Sequence, residues 1–459
     1  MADACCKPEK RNKVGIIVGG GPAPGINSVI RGAALAAAEA GVETLGFLSG
    51  CEGLISGNHR VLSPEYVGEL LRRGGICIGT SRKRPSKTAE KDEFAIIHDV
   101  LAKLGVRGLV TIGGDDTLGT ARRLNESGIP CVHVCKTIDN DLPATDITFG
   151  HDTAVGVAAD ILADLATDAR SAGRWVVAEL MGRQSGSLAF RAGLAAGVHR
   201  TLIRETFQVF GMQSLETFAK SDDPLTAKAA KDELMRCAGA TRLRGAQLDL
   251  NKSITGQMSG ADDMDLALDI ATLVQQQVDL IKARRERGLN WGVLVVAEGL
   301  AYNLNTVIVE RDADGKPKMG LIKGLSEDIP LAYDEHGNPR VTDLAIGGIL
   351  QKEINARDKK AKPVFKQVGY ELRCTDPSAF DVRLCTRLGV KAMELLLDDQ
   401  GGRMVGYQND EVVPIGFHDP SVVTKDANGK EVVRVRLVDV DSDLFIGAKK
   451  AEYINSLFY

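Results

Sequence analysis

Between residues 14 and 200 one pattern recurs: a short and almost continuously apolar run, a glycine-marked polar turn, then an amphipathic stretch. Runs at 14–18, 43–48, 108–112, 131–135 and 175–180 alternate with helical periodicity from 26, over 92–104, 118–127, 152–171 and 185–195. Strands that are apolar throughout must be covered on both faces, and parallel strands need helical crossovers between them. The pattern therefore predicts an α/β fold with parallel-rich sheets flanked by helices. Local signals set helix ends. Ser63-Pro64-Glu65 reads as an N-cap with proline in the first turn, of a helix ending at Gly74-Gly75, and Gly105 closes the helix over 92–104.

Beyond residue 200 the rhythm changes. Residues 214–257 are polar and glycine-punctuated and read as a helical insertion. A long helix over 267–287 leads to a strand at 291–297. Helices are expected at 344–356 and 377–397 and a strand at 363–368, with short strands and turns such as Ala427-Asn428-Gly429 following. The chain of 459 residues is long enough for two or three domains. A 44% hydrophobic and 26% charged composition excludes disordered, collagenous and coiled-coil chains. A net charge of −4 gives no overall basic field for nucleic acid or an anionic membrane. No membrane or export segment is read, and residues 1–13 read as a polar tail. Nine cysteines without a C-x-x-C pair are expected to be reduced structural thiols in a cytoplasmic protein, with Cys5 and Cys6 incidental in the tail.

Ligands of open parallel sheets bind beyond the carboxyl ends of the strands, and four polar loops leave such ends here. Residues 19–27 (Gly-Gly-Gly-Pro-Ala-Pro-Gly-Ile-Asn) match neither G-x-G-x-x-G nor a P-loop. Their unsubstituted backbone at a helix N-terminus suits an anion, or simply a tight turn. After Gly113 and Gly114 come two carboxylates, Asp115 and Asp116, fit to meet phosphates through a metal or to cap the next helix. Lys136, Thr137, Asp139 and Asp141 follow an apolar strand. In extended backbone the two aspartates would share a face, and mutual repulsion would raise one pKa as a general base requires. The alternative is a solvated turn. Met181, Gly182 and Arg183 end a further strand, where a guanidinium can grip a transferring phosphoryl group. Together these loops suit phosphoryl transfer without a covalent nucleophile. No nucleophile elbow exists, and His133, His151 and His199 are dispersed, expected to pack or hydrogen-bond rather than ligate metal.

These segments, with Glu298-Gly299 and Gly369-Tyr370-Glu371-Leu372-Arg373, resemble the ordered signatures of the phosphofructokinase family, densely over 14–200 and more thinly over 290–395. The resemblance implies two Rossmann-like domains with the active site in the cleft between them. They would be a phosphoryl-donor domain over 14–150 and a sugar-phosphate domain over 151–395, with 396–459 packing back on the core. It implies Asp139 as the base toward the 1-hydroxyl of fructose 6-phosphate, supported by Thr137 and Asp141, and Asp115 as the Mg²⁺-associated carboxylate. Gly20, Gly21, Arg82, Gly114, Asp116 and Lys136 would bind the donor. Met181, Gly182, Arg183 and Glu298 would bind the sugar, Tyr370 and Arg373 its 6-phosphate. Arg174 would reach a neighbouring site in a homodimer or homotetramer.

The pattern departs from the family at Pro22, where an acidic residue is common, and at Val364, where a 6-phosphate arginine is expected and Lys362 or Lys366 would have to substitute. ATP-using members resemble one another in carrying glycine at the positions of Asp116 and Lys136, whereas pyrophosphate-using members carry aspartate and lysine, as here. A carboxylate at Asp116 fills space a nucleotide's α-phosphate would need and repels it, while Lys136 offers a compact cation to pyrophosphate and offsets the extra aspartate. The expectation is a Mg²⁺-dependent, pyrophosphate-using enzyme. The alternatives are an ATP-dependent 6-phosphofructokinase, a non-catalytic sugar-phosphate-binding subunit, and a lipid or NAD kinase with a Gly-Gly-Asp loop.

Overall fold

The computed structural model describes residues 12–88, 91–207, 270–304, 306–313, 315, 317–323, 325–333, 340, 343–425, 431–440 and 442–458. The expected insertion at 214–257, residues 267–269 of the long helix, most of the N-terminal tail with Cys5 and Cys6, and the turn at 427–429 lie outside them. The described residues form two compact units. One holds those up to Ala154 with Tyr370–Thr424 and Val432–Arg434; the other holds those of Val155–Gly369, Lys425–Glu431 and Val435–Tyr459.

In chain order the first unit contributes β1 (Lys13–Val18), α1 (Ile26–Glu39), β2 (Glu43–Phe47), α2 (Cys51–Ser56), β3 (His59–Val61), α3 (Pro64–Gly68), α4 (Glu93–Leu104), β4 (Val106–Gly113), α5 (Asp115–Glu126) and β5 (Cys131–Cys135). After α6 (His151–Ala172) the second unit adds β6 (Trp175–Leu180), α7 (Ser187–Ala196), β7 (Arg200–Leu202), α8 (Ile270–Glu286), β8 (Gly292–Ala297), β9 (Thr306–Arg311), β10 (Pro317–Ile322), β11 (Ile329–Ala332), α9 (Ile346–Arg357) and β12 (Val364–Val368). Then come α10 (Tyr370–Cys374), α11 (Ala379–Leu397), β13 (Arg403–Gln408) and β14 (Glu411–Gly416), with a final helix α12 (Asp443–Phe458).

The first unit is built on a seven-stranded sheet ordered β14-β13-β5-β4-β1-β2-β3. Its five inner strands run parallel and only the edge strands β3 and β14 are antiparallel. β5 is buried at every position, as its unbroken apolar reading requires. The core on one side of the sheet joins Ile17, Leu45, Leu109, Leu118 and Cys131 to Met404 and Phe417. The second unit has an all-parallel four-stranded sheet, β12-β6-β8-β7, and an antiparallel sheet of β9, β10 and β11. α8 and α9 bury Leu273, Val274, Val278, Leu350 and Ile354 against Trp175, Val177 and Leu294.

Helix signals acted largely as their chemistry dictates. The Ser63 hydroxyl accepts from the Tyr66 N–H at 3.3 Å, and one Asp92 carboxylate oxygen accepts from Phe94 and Ala95 at 3.0 and 3.1 Å. Gly105 closes α4 at φ 71°. The helix after Ser63 stops at Gly68 instead of continuing to Gly74-Gly75. The Gly74 N–H is taken by Asp376, and the Gly74 carbonyl by Asn27 at 3.2 Å. The antiparallel β9–β11 sheet and α12 were not expected from the sequence.

The linear division at residues 150 and 395 also needs correction: Tyr370–Thr424 belongs to the first unit. The cause is a close helix crossing. A Cβ on Gly389 of α11 would lie 2.2 Å from the Val29 carbonyl of α1, and one on Gly32 would lie 2.5 Å from the Thr386 carbonyl. Only glycine permits this approach, and it fixes α11 on α1. Among the described residues, no helix is long and apolar enough to cross a membrane. The six described cysteines are free thiols.

Candidate active site

β5, β4 and β1 are neighbours in the first sheet, so the loops leaving their carboxyl ends converge. The glycine loop does not offer its first backbone donors to an anion. Gly19 N–H donates to the Ile112 carbonyl at 2.9 Å and Gly20 N–H to the Ser81 carbonyl at 3.2 Å. These two donors are spent within the fold, and cationic side chains flank the next part of the loop. Gly20 stands at φ 78°, and a Cβ on it would come 3.5 Å from Lys136 Nζ; one on Gly21 would come 3.5 Å from Arg373 Nη1. Lys136 is 7% exposed, and its Nζ donates to the Gly21 carbonyl at 2.7 Å. Burial and the Arg373 charge pull its pKa down to about 8, against Asp139, Asp115 and Asp141, which favour the charged form.

α5 begins at Asp115, earlier than the expected 118, so both carboxylates lie in its first turn. The Asp116 N–H donates to Asp115 Oδ1 at 2.8 Å. The cation that pairs with Asp116 is Arg84: its Nη2 lies 2.6 Å from Asp116 Oδ2, both side chains being more than half exposed. The Arg82-Lys83-Arg84 run is anchored from below. Buried Glu93 accepts from Ser86 N–H at 2.9 Å and pairs with Lys83 at 3.0 Å and Lys91 at 3.2 Å. Arg82 itself is exposed. The roles of Arg84 and Glu93 escaped sequence reading; the run of three cations facing an acidic helix start was the only signal.

In the third loop Thr137 Oγ1 accepts from the Asp139 N–H at 3.1 Å. Asn140 stands at φ 54°, so the backbone between the two aspartates is left-handed, not extended as expected. The raised pKa falls on Asp141, through burial and the charges of Asp139 and Asp115, against a hydrogen bond with Thr137. His151 Nδ1 bonds the Ile138 carbonyl at 2.6 Å, and His133 lies between Thr111 Oγ1 at 2.8 Å and the Gly113 carbonyl at 3.1 Å. Burial first, then Lys136, lower the His133 pKa to about 3, against the Gly113 bond, so the ring is neutral. These histidines brace the loops.

The second unit gathers its own group at the ends of the adjacent strands β6 and β8. Gly182, at φ 134°, donates its N–H to Glu298 Oε1 at 3.4 Å, and Gly299 N–H donates to the Gly182 carbonyl at 3.1 Å. A Cβ on Gly299 would strike the Arg183 carbonyl at 2.4 Å, and one on Gly369 would lie 3.1 Å from Met181 Cε. Met181, Gly182, Arg183 and Glu298 are thereby held together. Arg174 follows α6 and pairs with Asp168 at 2.5 Å. Tyr370 is 79% exposed, with the Arg373 guanidinium 5.6 Å from its ring centre. Arg373, assigned from the sequence to the sugar-phosphate domain, thus belongs to the unit that carries the glycine loop.

Magnesium fits this chemistry. Asp115, Asp139 and Asp141 all act on Lys136, and two of them push the third toward protonation. Carboxylate oxygens are hard donors, and a small divalent cation takes one or two of them together with water and phosphate oxygens. Among the described residues no group of three or more His, Cys, Asp or Glu could hold a metal unaided. Asp115 would therefore share the ion with water and phosphate oxygens.

A family model described as Phosphofructokinase matches residues 13–235. The chain is 43% identical to a pyrophosphate–fructose 6-phosphate 1-phosphotransferase of Streptomyces coelicolor, over 88% of this chain and 92% of that protein. It is 31% identical to a protein of the same name from Naegleria fowleri, over 96% and 88%. It is also 32% identical to ATP-dependent 6-phosphofructokinase 2 of Streptomyces coelicolor, over 88% and 93%. A solved pyrophosphate-dependent phosphofructokinase from Marinobacter aquaeolei shares the fold with a TM-score of 0.56 at 16% identity, over 95% of this chain and 88% of that one.

Proposed function

The chain belongs to the phosphofructokinase family, and on that basis we propose that it transfers a phosphoryl group from pyrophosphate to the 1-hydroxyl of fructose 6-phosphate. The products are fructose 1,6-bisphosphate and phosphate. The observation that carries the choice of donor is Lys136, a buried cation set against Gly20 and Gly21. A compact ammonium there complements a bare diphosphate and takes up room that a nucleotide would need. The acidic Asp116 at the start of α5 adds repulsion toward an α-phosphate. ATP is the competing donor, since an ATP-dependent relative has similar identity to that of the Naegleria fowleri protein.

In this reading Asp139 accepts the proton of the 1-hydroxyl as that oxygen bonds to the nearer phosphorus of pyrophosphate. The bond from that phosphorus to the bridging oxygen breaks, and its electron pair leaves with phosphate. Thr137 holds the Asp139 backbone, and Asp141, which burial and its acidic neighbours bias toward protonation, supports the base. Arg183 and Lys136 offset the charge on the transferring group. Arg82 and Gly114 complete the donor site. Arg373, beside Gly21, serves the phosphates that meet at the glycine loop, with Tyr370 at the 6-phosphate. Met181, Gly182 and Glu298 hold the sugar. Mg²⁺ bound at Asp115 would neutralise phosphate charge. Arg174 reaches the sugar phosphate of a neighbouring copy, so the working enzyme is at least a dimer. The bonds broken and made are similar in energy, so the reaction runs in both directions.

The test is a coupled assay of fructose 1,6-bisphosphate formation with each donor. Turnover with pyrophosphate and little with ATP is the expected result. Turnover with ATP alone overturns the assignment.

A further inference from the structure

We propose that Asn140 is the positioning residue that sets Asp139 and Asp141 for phosphoryl transfer, acting as a left-handed hinge pinned by Thr148. Three observations meet here. Asn140 is the residue between the two aspartates and stands at φ 54°, a conformation that most side chains resist and asparagine tolerates. It is 5% exposed, and its Oδ1 accepts from the Thr148 N–H at 2.9 Å and the Thr148 hydroxyl at 3.3 Å. The same hydroxyl shares its single proton with the Thr137 carbonyl, the nearer acceptor at 2.7 Å, and Thr148 is 1% exposed.

Thr148 thus closes a loop from both ends, holding the backbone before the base and the side chain after it. The anchor is itself rigid. Two residues on, the Gly150 N–H donates to Asp381 at 2.8 Å, and Thr153 N–H donates to the other oxygen at 2.9 Å. An extended chain at Asn140 would turn the two carboxylates differently and break both bonds to Thr148. Catalytic groups misplaced by about 1 Å lose on the order of 100-fold in rate, so a residue that touches no reacting atom can still govern turnover.

The inference rests on Asp139 being the base, so Asp139→Ser is measured alongside. Asn140→Ala loses both the conformational tolerance and the acceptor. Asn140→Gly keeps the left-handed backbone and loses the side-chain acceptor. Thr148→Val removes the hydroxyl. In enzyme shown to be folded by its melting curve, Asn140→Ala is expected to lower kcat about 100-fold or more with KM for both substrates within about threefold. Asn140→Gly should recover about tenfold of that, and Thr148→Val should match it, with the double variant no worse than either single one. A folded Asn140→Ala enzyme with kcat within twofold of the parent overturns the proposal. So does Asn140→Gly no better than Asn140→Ala. Should Asn140→Ala not fold, normal turnover in both Asn140→Gly and Thr148→Val overturns it. Near-normal turnover in Asp139→Ser instead removes the base assignment itself.

Discussion

Replacing Asp116 with glycine tests the donor assignment, and the structure sets how large the effect can be. Two like charges 4 Å apart cost about 4 kcal/mol at an effective dielectric near 20 and about 1 kcal/mol in water. Asp116 is 61% exposed at its side chain and paired with Arg84 at 2.6 Å, so the lower part of that range applies. About 1–2 kcal/mol corresponds to roughly 5- to 30-fold. Asp116→Gly is therefore expected to raise kcat/KM for ATP by roughly 5- to 30-fold relative to pyrophosphate, read in the coupled assay with either donor. Arg84→Ala leaves the carboxylate unpaired and should raise KM for pyrophosphate about threefold. In the Asp116→Gly background the same change should do little. An unchanged donor ratio in Asp116→Gly, alone or with Lys136→Gly, refutes the occlusion reasoning. An Arg84→Ala effect of equal size in both backgrounds refutes the pairing.

Asp381→Asn keeps the shape of a fully buried carboxylate but sets an amide NH₂ against the N–H of Gly150 or Thr153, at a cost of about 2–4 kcal/mol; calorimetry should show Tm lower by roughly 2–4 °C, and a shift under 1 °C contradicts it. Glu93 feels burial pushing its pKa up, but its bonds from Lys83, Ser86 and Lys91 outweigh this and hold it at about 2, below its ordinary 4.5. Its depressed value means stability present above 4.5 and lost as pH falls toward 2, so Glu93→Gln should flatten the acid limb of a Tm–pH curve, and an identical limb would exclude Glu93 from it. Arg174→Ala is expected to raise KM for fructose 6-phosphate about tenfold with KM for pyrophosphate unchanged. Mixing it with inactive Asp139→Ser subunits should restore activity if the arginine serves a neighbouring copy, and no recovery places it in its own site.

Much of the fold is legible along the chain because its strands are buried on both faces. A strand such as β5, apolar at nearly every position, announces parallel pairing locally, and Asp92, Ser63 and Gly105 announce helix ends by their own hydrogen bonding and conformation. The antiparallel β9–β11 sheet escaped because its strands are only partly buried and carry no comparable apolar run. At the candidate site the residue types were readable and their partners were not. Lys136 and Asp116 stand out as charges at strand ends, but that one is buried on Gly21 and the other bound by Arg84 depends on loops far apart in sequence.

What the sequence by itself determined is local: strand and helix periods, glycine turns, and an order of phosphate-handling side chains at strand ends. Tertiary structure alone decided which residues share a unit, because a glycine-mediated crossing of α1 and α11 brings Arg373 into the unit of the glycine loop. It also decided the hand of the backbone at Asn140, since asparagine tolerates either conformation and tertiary contacts, those from Thr148 among them, hold it in one.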